Sequence, residues 1–567
     1  MTRSFDTHTQ NVVTTAGGQR VHKGHAEQSE VLTAGFYEVR KGVWNFVGNG
    51  LSNQTFIEAP EGIIAIDTGE SIEEMREALR RLREITDAPI AAVIYTHFHY
   101  VEGTKAIFEE GNHVQPLPIY AHEKVKGNKA RTLGEISPAY ARGIVEQFAV
   151  VMPTEGPDAT VNVGLGYFYK HPNHAPYTPG YVDATHLLGD RQTLTIAGMT
   201  VHAVHSPSDS DDSVNFYFSD IGTCVHNSVW PVLFNVFAIR GEEYRDPRVL
   251  IPGIDNIIGW APEYLVATHG PALKGKENIR AIATRYRDSI QFMWDQTVRA
   301  MNKGWTADEI ASRVTLPELY DVDYLTSERY GVTEHHVRQI YMGIRGWFDG
   351  DESKLFPLEP AERFAKLIAG FGGRAEVTAQ CSAALAADDI RWATELATWL
   401  VRSEGATADE RALLASCLRV IAERTPAANI RNWCITRARH LDGSFPMDRF
   451  MVHNFNPKFL AESSAVGIVH TLRVLVDPEK IQGIDHHIAF AIGDEESGLH
   501  IRNCVAVPTN GWGAQTLVRM PRDVFMGVVS GRRLWSEAVT AGDIKVSGDV
   551  DVVNQFRASL DNKGFAG

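Results

Sequence analysis

Within Tyr95-Thr96-His97-Phe98-His99-Tyr100-Val101-Glu102-Gly103, two imidazoles and a carboxylate fall inside six residues, a donor set suited to holding a divalent metal ion. The apolar run Ala91 to Tyr95 leads into it and reads as a buried strand. The ends of such strands are where an α/β sheet presents functional residues. Residues two apart on an extended chain share a side, so His97 and His99 face one space, and Glu102 reaches the same space after the turn. An HxH pair alone is weak evidence of a metal site, and partners elsewhere in the chain decide it.

The elements that must position this loop lie on either side. Gly62 to Asp67 is an apolar strand ending in an acid, placed to orient a ligand histidine rather than to bind metal. Ser71 opens a helix, with Glu74 three residues on as in a capping box and with Ile72, Met75, Leu79 and Leu82 on one face. Together with the strand at 91–95 these form a β-α-β unit, the building block of sheets covered by helices. Phe36 to Ile57 adds strands around Asn45, Asn49 and Asn53. Residues 104–190 are too long for a plain connector and read as lid and pocket-forming structure, in which His171 and His174 are turn residues beside proline. Gln192 to Ala203 and Val214 to Phe218 are strand-like.

After Lys274 the apolar spacing turns helical to about residue 435, with hairpins at 386–403 and 406–423 joined at Gly405 and capped by Thr407. Beyond 440, the stretches Val466 to Val474, His487 to Ile492, Leu499 to Val505 and Gln515 to Met520 alternate like antiparallel strands. Helices at Arg522 to Val529 and Arg533 to Ala541 follow, which makes a small α+β domain.

A chain of 567 residues exceeds one core, at roughly 150 residues per domain. The net charge of −15 argues against nucleic acid as a partner, because phosphate binding needs a basic surface. No apolar run reaches the roughly 18 residues of a membrane span, and the polar start lacks a secretory signal, so a cytoplasmic location is expected. The five cysteines are odd in number and without CxxC spacing, which predicts reduced, partly buried thiols.

The 95–103 loop resembles the histidine-rich loop of the metallo-β-lactamase superfamily, His-x-His-x-Asp-His, with Val101 and Glu102 at the last two ligand positions. His205-Ser206-Pro207-Ser208-Asp209-Ser210-Asp211-Asp212-Ser213 lines up with that superfamily's His-Thr-Pro-Gly-His-Thr-x-Gly-Ser turn. Thr223-Cys224-Val225-His226-Asn227 reaches the position of its later acidic ligand, and Leu265-Val266-Ala267-Thr268-His269-Gly270-Pro271 ends at its last. Four further stretches sharpen the likeness: Asp255 to Gly270, Tyr330 to His336, Gly346 to Gly350, and Asp389 to Ala393. With them the chain from about residue 36 onward resembles the bacterial alkylsulfatases.

The resemblance implies an N-terminal arm over 1–35, a metallo-β-lactamase αβ/βα sandwich over 36–300, a helical dimerisation domain over 301–438 and a C-terminal α+β domain similar to sterol carrier proteins over 439–567. It also implies two divalent metal ions, zinc by donor type with iron or manganese as alternatives. One ion would sit at His97, His99 and Asp209, the other at Glu102, His226 and His269, with imidazole and carboxylate exchanged between positions 102 and 226. Arg240 corresponds to the arginine that holds the sulfate, and its planar guanidinium suits a tetrahedral oxyanion. His335 corresponds to the histidine that protonates the leaving group. The expected activity is hydrolysis of an amphipathic alkyl sulfate to alcohol and sulfate by a homodimer, with an acyl-chain tunnel in the C-terminal domain.

Two other classes fit some of the same residues. A 2-His-1-carboxylate set with open positions also suits an iron-dependent, oxygen-using enzyme acting on an apolar substrate. A lipid or sterol carrier with a decayed metal domain would account for Val101 and Glu102, but not for Asp209, Arg240, His269 and His335 all standing in place.

Overall fold

Ile63 and Ala65 enter one apolar layer, and Ile64 and Ile66 enter another, because alternate residues of a strand point to opposite faces. Both faces of this strand are covered, which is why it is apolar throughout. It lies in a seven-stranded sheet ordered Gly35–Arg40, Val43–Val47, Gln54–Ala59, Gly62–Ile66, Ile90–Ile94, Ile119–His122, His186–Leu188. The first three pairings are antiparallel and the rest parallel. A six-stranded sheet follows, ordered Arg191–Ile196, Met199–His205, Val214–Phe218, Thr223–His226, Tyr264–Ala267, Leu273–Lys274.

The two sheets pack face to face through Ile57, Ile64 and Ile94 on one side and Val201, Phe216 and Val266 on the other. Helix Ile72–Arg83 covers the outer face of the first sheet with Met75, Leu79 and Leu82. Helices Pro247–Trp260 and Lys276–Met301 cover the second with Ile254, Ile257, Ile279 and Ile290. The result is an αβ/βα sandwich. Truncating Met75 or Leu79 to Ala would cost about 2–5 kcal/mol, since both are fully packed between helix and sheet.

The computed structural model describes residues 4–447, 450, 455, 460 and 463–567, in two units: Met1–Lys126 with Gly143–Pro446, and Gly127–Arg142 with Met447–Gly567. In the first unit the sandwich is followed by helices that include Arg374–Ala386, Ile390–Arg402, Ala408–Arg424 and Ala428–Leu441, packed around Leu396, Leu400, Cys417 and Ile435. Thr407 caps its helix with a complete capping box. All five cysteines are free thiols, and four of them are buried.

In the second unit a five-stranded sheet, ordered Val505–Thr509, Glu495–Arg502, His486–Ile492, Thr516–Met520, Lys545–Ser547, packs against helices such as Arg522–Val529. Here two strand expectations are corrected. Val466 to Val474 is helical: Ala465–Thr471 continues into a 3₁₀ turn, Leu472–Leu475. Ser464 Oγ accepts the Gly467 N–H at 3.0 Å, and Ile468, Val469, Leu472 and Leu475 bury at three- and four-residue spacing. A β-branched run resembles a strand until the cap and the burial face are known. Leu499 to Val505 is two strands, because Asn503 and Cys504 both take positive φ, 49° and 61°, the geometry of a two-residue hairpin turn.

The capping box expected at Ser71 is half made. Ser71 Oγ accepts the Glu74 N–H at 3.2 Å, but the Glu74 carboxylate accepts instead from Gln54 Nε2 at 2.7 Å and from the Glu70 N–H at 3.1 Å. Burial pushes its pKa up from 4.5 to about 7, against those two donors. An acid whose pKa rises on folding stabilises the fold below its unfolded value and loses that contribution as pH climbs through the folded one. Glu74→Gln is therefore expected to flatten the fall in melting temperature between about pH 5 and pH 8. Parallel melting curves for variant and parent across that range would refute it.

Candidate metal centre

The strand ends converge at one edge of the sandwich. His97 follows Ile90–Ile94, Asp67 follows Gly62–Ile66, His226 ends Thr223–His226, His269 follows Tyr264–Ala267, and Asp209 lies on the turn after Met199–His205. His97, His99 and Asp209 each bring one donor atom to within 4.8 Å of the others. His97 Nε2 is 3.5 Å and His99 Nδ1 is 2.7 Å from Asp209 Oδ2. Ligands about 2.0–2.1 Å from a tetrahedral ion stand roughly 3.3 Å apart, so the trio fits a metal with only small adjustment.

Asp67 orients His97 through Thr96. The Thr96 N–H and Oγ1–H donate to the two Asp67 carboxylate oxygens at 2.8 and 2.7 Å. That leaves Thr96 Oγ1 as acceptor for His97 Nδ1–H at 2.9 Å, and Nε2 keeps its lone pair for a metal. Asp67 holds a left-handed φ of 56°, a conformation that Asp tolerates better than most residues. Gly103 lets this loop press against helix Ile72–Arg83, since a Cβ there would stand 1.9 Å from the Thr68 carbonyl oxygen and 2.5 Å from Met75 Cβ.

Asp209 is ringed by cations. Arg245 Nη2 makes a short ion pair with Oδ1, Arg245 Nε donates to the Asp209 carbonyl at 3.0 Å, and Arg240 Nη2 stands 3.9 Å from Oδ1. Burial alone would raise the Asp209 pKa, but His99 and Arg245 overcome it and hold the carboxyl well below its usual range. Glu242 completes the set, with Oε2 2.6 Å from Arg240 Nη2 and 3.8 Å from His99 Nε2.

Glu102, His226 and His269 are not gathered in the same way. Among the described residues the trio above is the one group of three metal-ligating side chains. His226 Nδ1 accepts the N–H groups of Ser228 and Val229 at 3.1 and 3.2 Å, which leaves the ring proton on Nε2. Burial lowers its pKa to about 3. His269 donates from Nδ1 to the Leu51 carbonyl at 3.0 Å, and its Nε2 accepts the Tyr100 hydroxyl at 3.3 Å. The charge of Glu102 acts on Glu70, Tyr95 and Tyr181.

His335, on helix Thr333–Arg345, packs edge-on against Phe237 with ring centroids 5.8 Å apart. Its charged neighbours are Glu334 and Arg391, its pKa is lowered chiefly by burial, and its Nδ1 has no hydrogen-bond partner. Arg240 is thus brought to the trio, whereas His335 is linked to that segment through Phe237, three residues before Arg240 in sequence. Arg245 and Glu242 escaped sequence reasoning. Their signal is the charged run Arg240-Gly241-Glu242-Glu243-Tyr244-Arg245 directly after the apolar stretch 229–239. His171 and His174 are turn residues as expected, His174 Nε2 bonding the Asn49 carbonyl at 2.9 Å.

Sandwich, helical segment and metal-ligand trio define the protein class. Residues 47–179 match the metallo-beta-lactamase superfamily, 306–444 the alkyl sulfatase dimerisation family and 454–565 the alkyl sulfatase C-terminal family. A linear primary-alkylsulfatase of Pseudomonas sp. is 32% identical over 522 residues, covering 89% of this chain and 98% of its own. An (R)-specific secondary-alkylsulfatase of Pseudomonas sp. is 26% identical over 93% of this chain and 81% of its own. The stereoselective inverting sec-alkylsulfatase of Pseudomonas sp. shares the fold with a TM-score of 0.84 at 24% identity, over 99% of this chain and 93% of that one. The chain belongs to the alkylsulfatase family, within the metallo-β-lactamase superfamily.

Thr96→Val, which cuts the link from Asp67 to His97, is expected to weaken zinc affinity about 10- to 100-fold, and His97→Ala to abolish stoichiometric binding. Calorimetric titration checks both, with circular dichroism to confirm folding. Unchanged affinity in Thr96→Val would remove the orienting role.

Proposed function

We propose that this protein hydrolyses the sulfate monoesters of aliphatic alcohols: one alkyl sulfate and one water give an alcohol and hydrogen sulfate. The observation that carries the reading is two buried guanidinium groups, Arg240 and Arg245, standing directly beside a 2-His-1-carboxylate trio. A sulfate ester is a tetrahedral oxyanion, and a planar guanidinium meets two of its oxygens at once. The relatives that cover nearly the whole chain are alkylsulfatases, and nothing in that family membership favours an oxygen-using iron enzyme.

His97, His99 and Asp209 are the residues that would hold a divalent ion, and their nitrogen and carboxylate donors suit zinc. When bound, such an ion acidifies coordinated water towards neutral pH and acts as a Lewis acid. Arg240 holds the sulfate head and neutralises the charge that grows on it in the transition state. Glu242 keeps that guanidinium in place at 2.6 Å. His335 gives its proton to the departing alkoxide.

The helical segment is the natural homodimer contact. Trp347 and Phe356 are 63% and 91% exposed, with Leu355 and Leu358 also exposed nearby in sequence, apolar side chains that a partner subunit could cover. No helix among the described residues is long and apolar enough to cross a membrane. Sedimentation at micromolar concentration is expected to show twice the chain mass, and a monomer would refute the contact.

Arg240→Ala should lower turnover of a medium-chain alkyl sulfate by roughly 10²- to 10³-fold, the loss of an oxyanion contact worth about 2–4 kcal/mol, while zinc binding survives. His335→Ala should harm alkyl sulfates far more than aryl sulfates, because an alkoxide needs a proton as it leaves and a phenolate does not. Burial sets the His335 pKa below that of an ordinary imidazole, so activity that depends on its proton should decline as pH rises, from a midpoint under about 6.5. Sulfate released anaerobically by the zinc-loaded protein supports the reading. Turnover only with ferrous iron and oxygen would overturn it.

A further inference from the structure

Resting on the metal-binding trio above, we infer that this alkylsulfatase carries a single metal ion per chain, and that protein groups fill the place of a second: Arg245 on the Asp209 side and Tyr100 on the His269 side. The inference begins with what became of each donor of the other set. Val101 is wholly buried in the apolar layer under helix Ile72–Arg83. It is held there by a bridge to Gly69 and by the flanking bonds Thr68 N–H to Tyr100 O at 2.8 Å and Glu102 N–H to Gly69 O at 3.0 Å. The same pairing ties the Glu102 main chain to Gly69, and among the described residues Glu102 is not grouped with other metal-ligating side chains.

His226 has its Nδ1 lone pair committed to two backbone N–H groups, and the tautomer this imposes puts hydrogen on Nε2, so neither nitrogen is a ligand. His269 is the one member of the set with a ligand's tautomer, and Tyr100 donates to the lone pair that would meet an ion. The Tyr100 ring lies edge-on between His97 and His269, with centroids 5.0 and 5.3 Å away. A second ion would need His226 to break two backbone bonds and turn over, and Tyr100 to withdraw.

Fixed positive charge already stands on the Asp209 side of the site. Arg245 grips Asp209 through the carboxylate Oδ1 and the main-chain carbonyl, donates to the Asn235 carbonyl at 2.6 Å, and lies over the Trp230 ring at 5.5 Å. With Oδ1 so held, Oδ2 is the oxygen presented to His97 and His99. Arg245 is therefore a positioning residue for the metal ligand Asp209, and with Arg240 it gives the site two fixed cations.

The test strips the full-length protein with a chelator, titrates it with zinc and counts bound ions by native mass spectrometry. One zinc per chain is expected, lost in Asp209→Asn and kept in Glu102→Gln and His226→Gln. Arg245→Lys keeps the charge but loses the fork, and should weaken zinc affinity about 10- to 100-fold at the same stoichiometry, with folding confirmed by circular dichroism. Two zinc ions per chain, with one lost in Glu102→Gln or His226→Gln, would overturn the single-ion inference and leave the sulfatase reading intact. Full zinc content in folded Asp209→Asn, or no zinc in the parent, would sink the trio and the inference together. Unaltered affinity in Arg245→Lys would remove Arg245's positioning role.

Discussion

A carboxylate sealed between two imidazoles and a guanidinium is the interaction on which the candidate site depends. Asp209 and Arg245 are each more than nine-tenths removed from solvent, at 8% and 5% side-chain exposure. Taking such charges out of water costs several kcal/mol apiece unless each finds a partner. Here every charge has one: Asp209 has Arg245 and the histidines, and Arg240 has Glu242. Removing Arg245 would strand the buried Asp209 carboxylate that contacts His97 and His99, whereas removing Arg240 would strand Glu242 and leave the Asp209–Arg245 pair in place.

The same arrangement sets the electrostatics of the chemistry. The two guanidinium groups balance Asp209 and Glu242, and an ion bound at the trio would add positive charge in a space with little water to screen it. On the proposed function, a sulfate monoester would be drawn to that field, and Arg240 would replace part of its hydration with directed hydrogen bonds. The relay from Asp67 through Thr96 to His97 supplies no charge to the substrate. It keeps one nitrogen lone pair aimed at the ion, as the partners of metal-bound histidines generally do.

Family membership and individual geometry answer different questions. Sandwich, helical segment and C-terminal unit are those of the alkylsulfatases. The loop from Val101 to Glu102 is this chain's own, and its consequences follow from packing. An apolar residue at position 101 prefers the layer of Met75 and Ile107 to a polar site, and once it is buried there the backbone pairing with Gly69 holds the Glu102 main chain. Tyr100, one residue earlier, meets His269 Nε2 with its hydroxyl at 3.3 Å.

Much of this was legible in the chain itself. Asp209 and Arg240 came from the family resemblance alone, whereas apolar runs ending in Asp67, His97 and His269 marked strand ends, Ser71 and Thr407 marked helix starts, and the HxH spacing suggested a metal. These are local signals, set by side-chain period and by capping chemistry acting over a few residues. Burial of the whole stretch, visible only after folding, turned Val466 to Val474 from an apparent strand into a helix. Tertiary structure alone decided which nitrogen of each histidine keeps its lone pair, because that depends on backbone groups such as Leu51 O and Ser228 N–H, which come near only when distant segments meet. It also brought Arg245 to the Asp209 carboxylate across 36 residues of chain, a pairing that no spacing rule encodes.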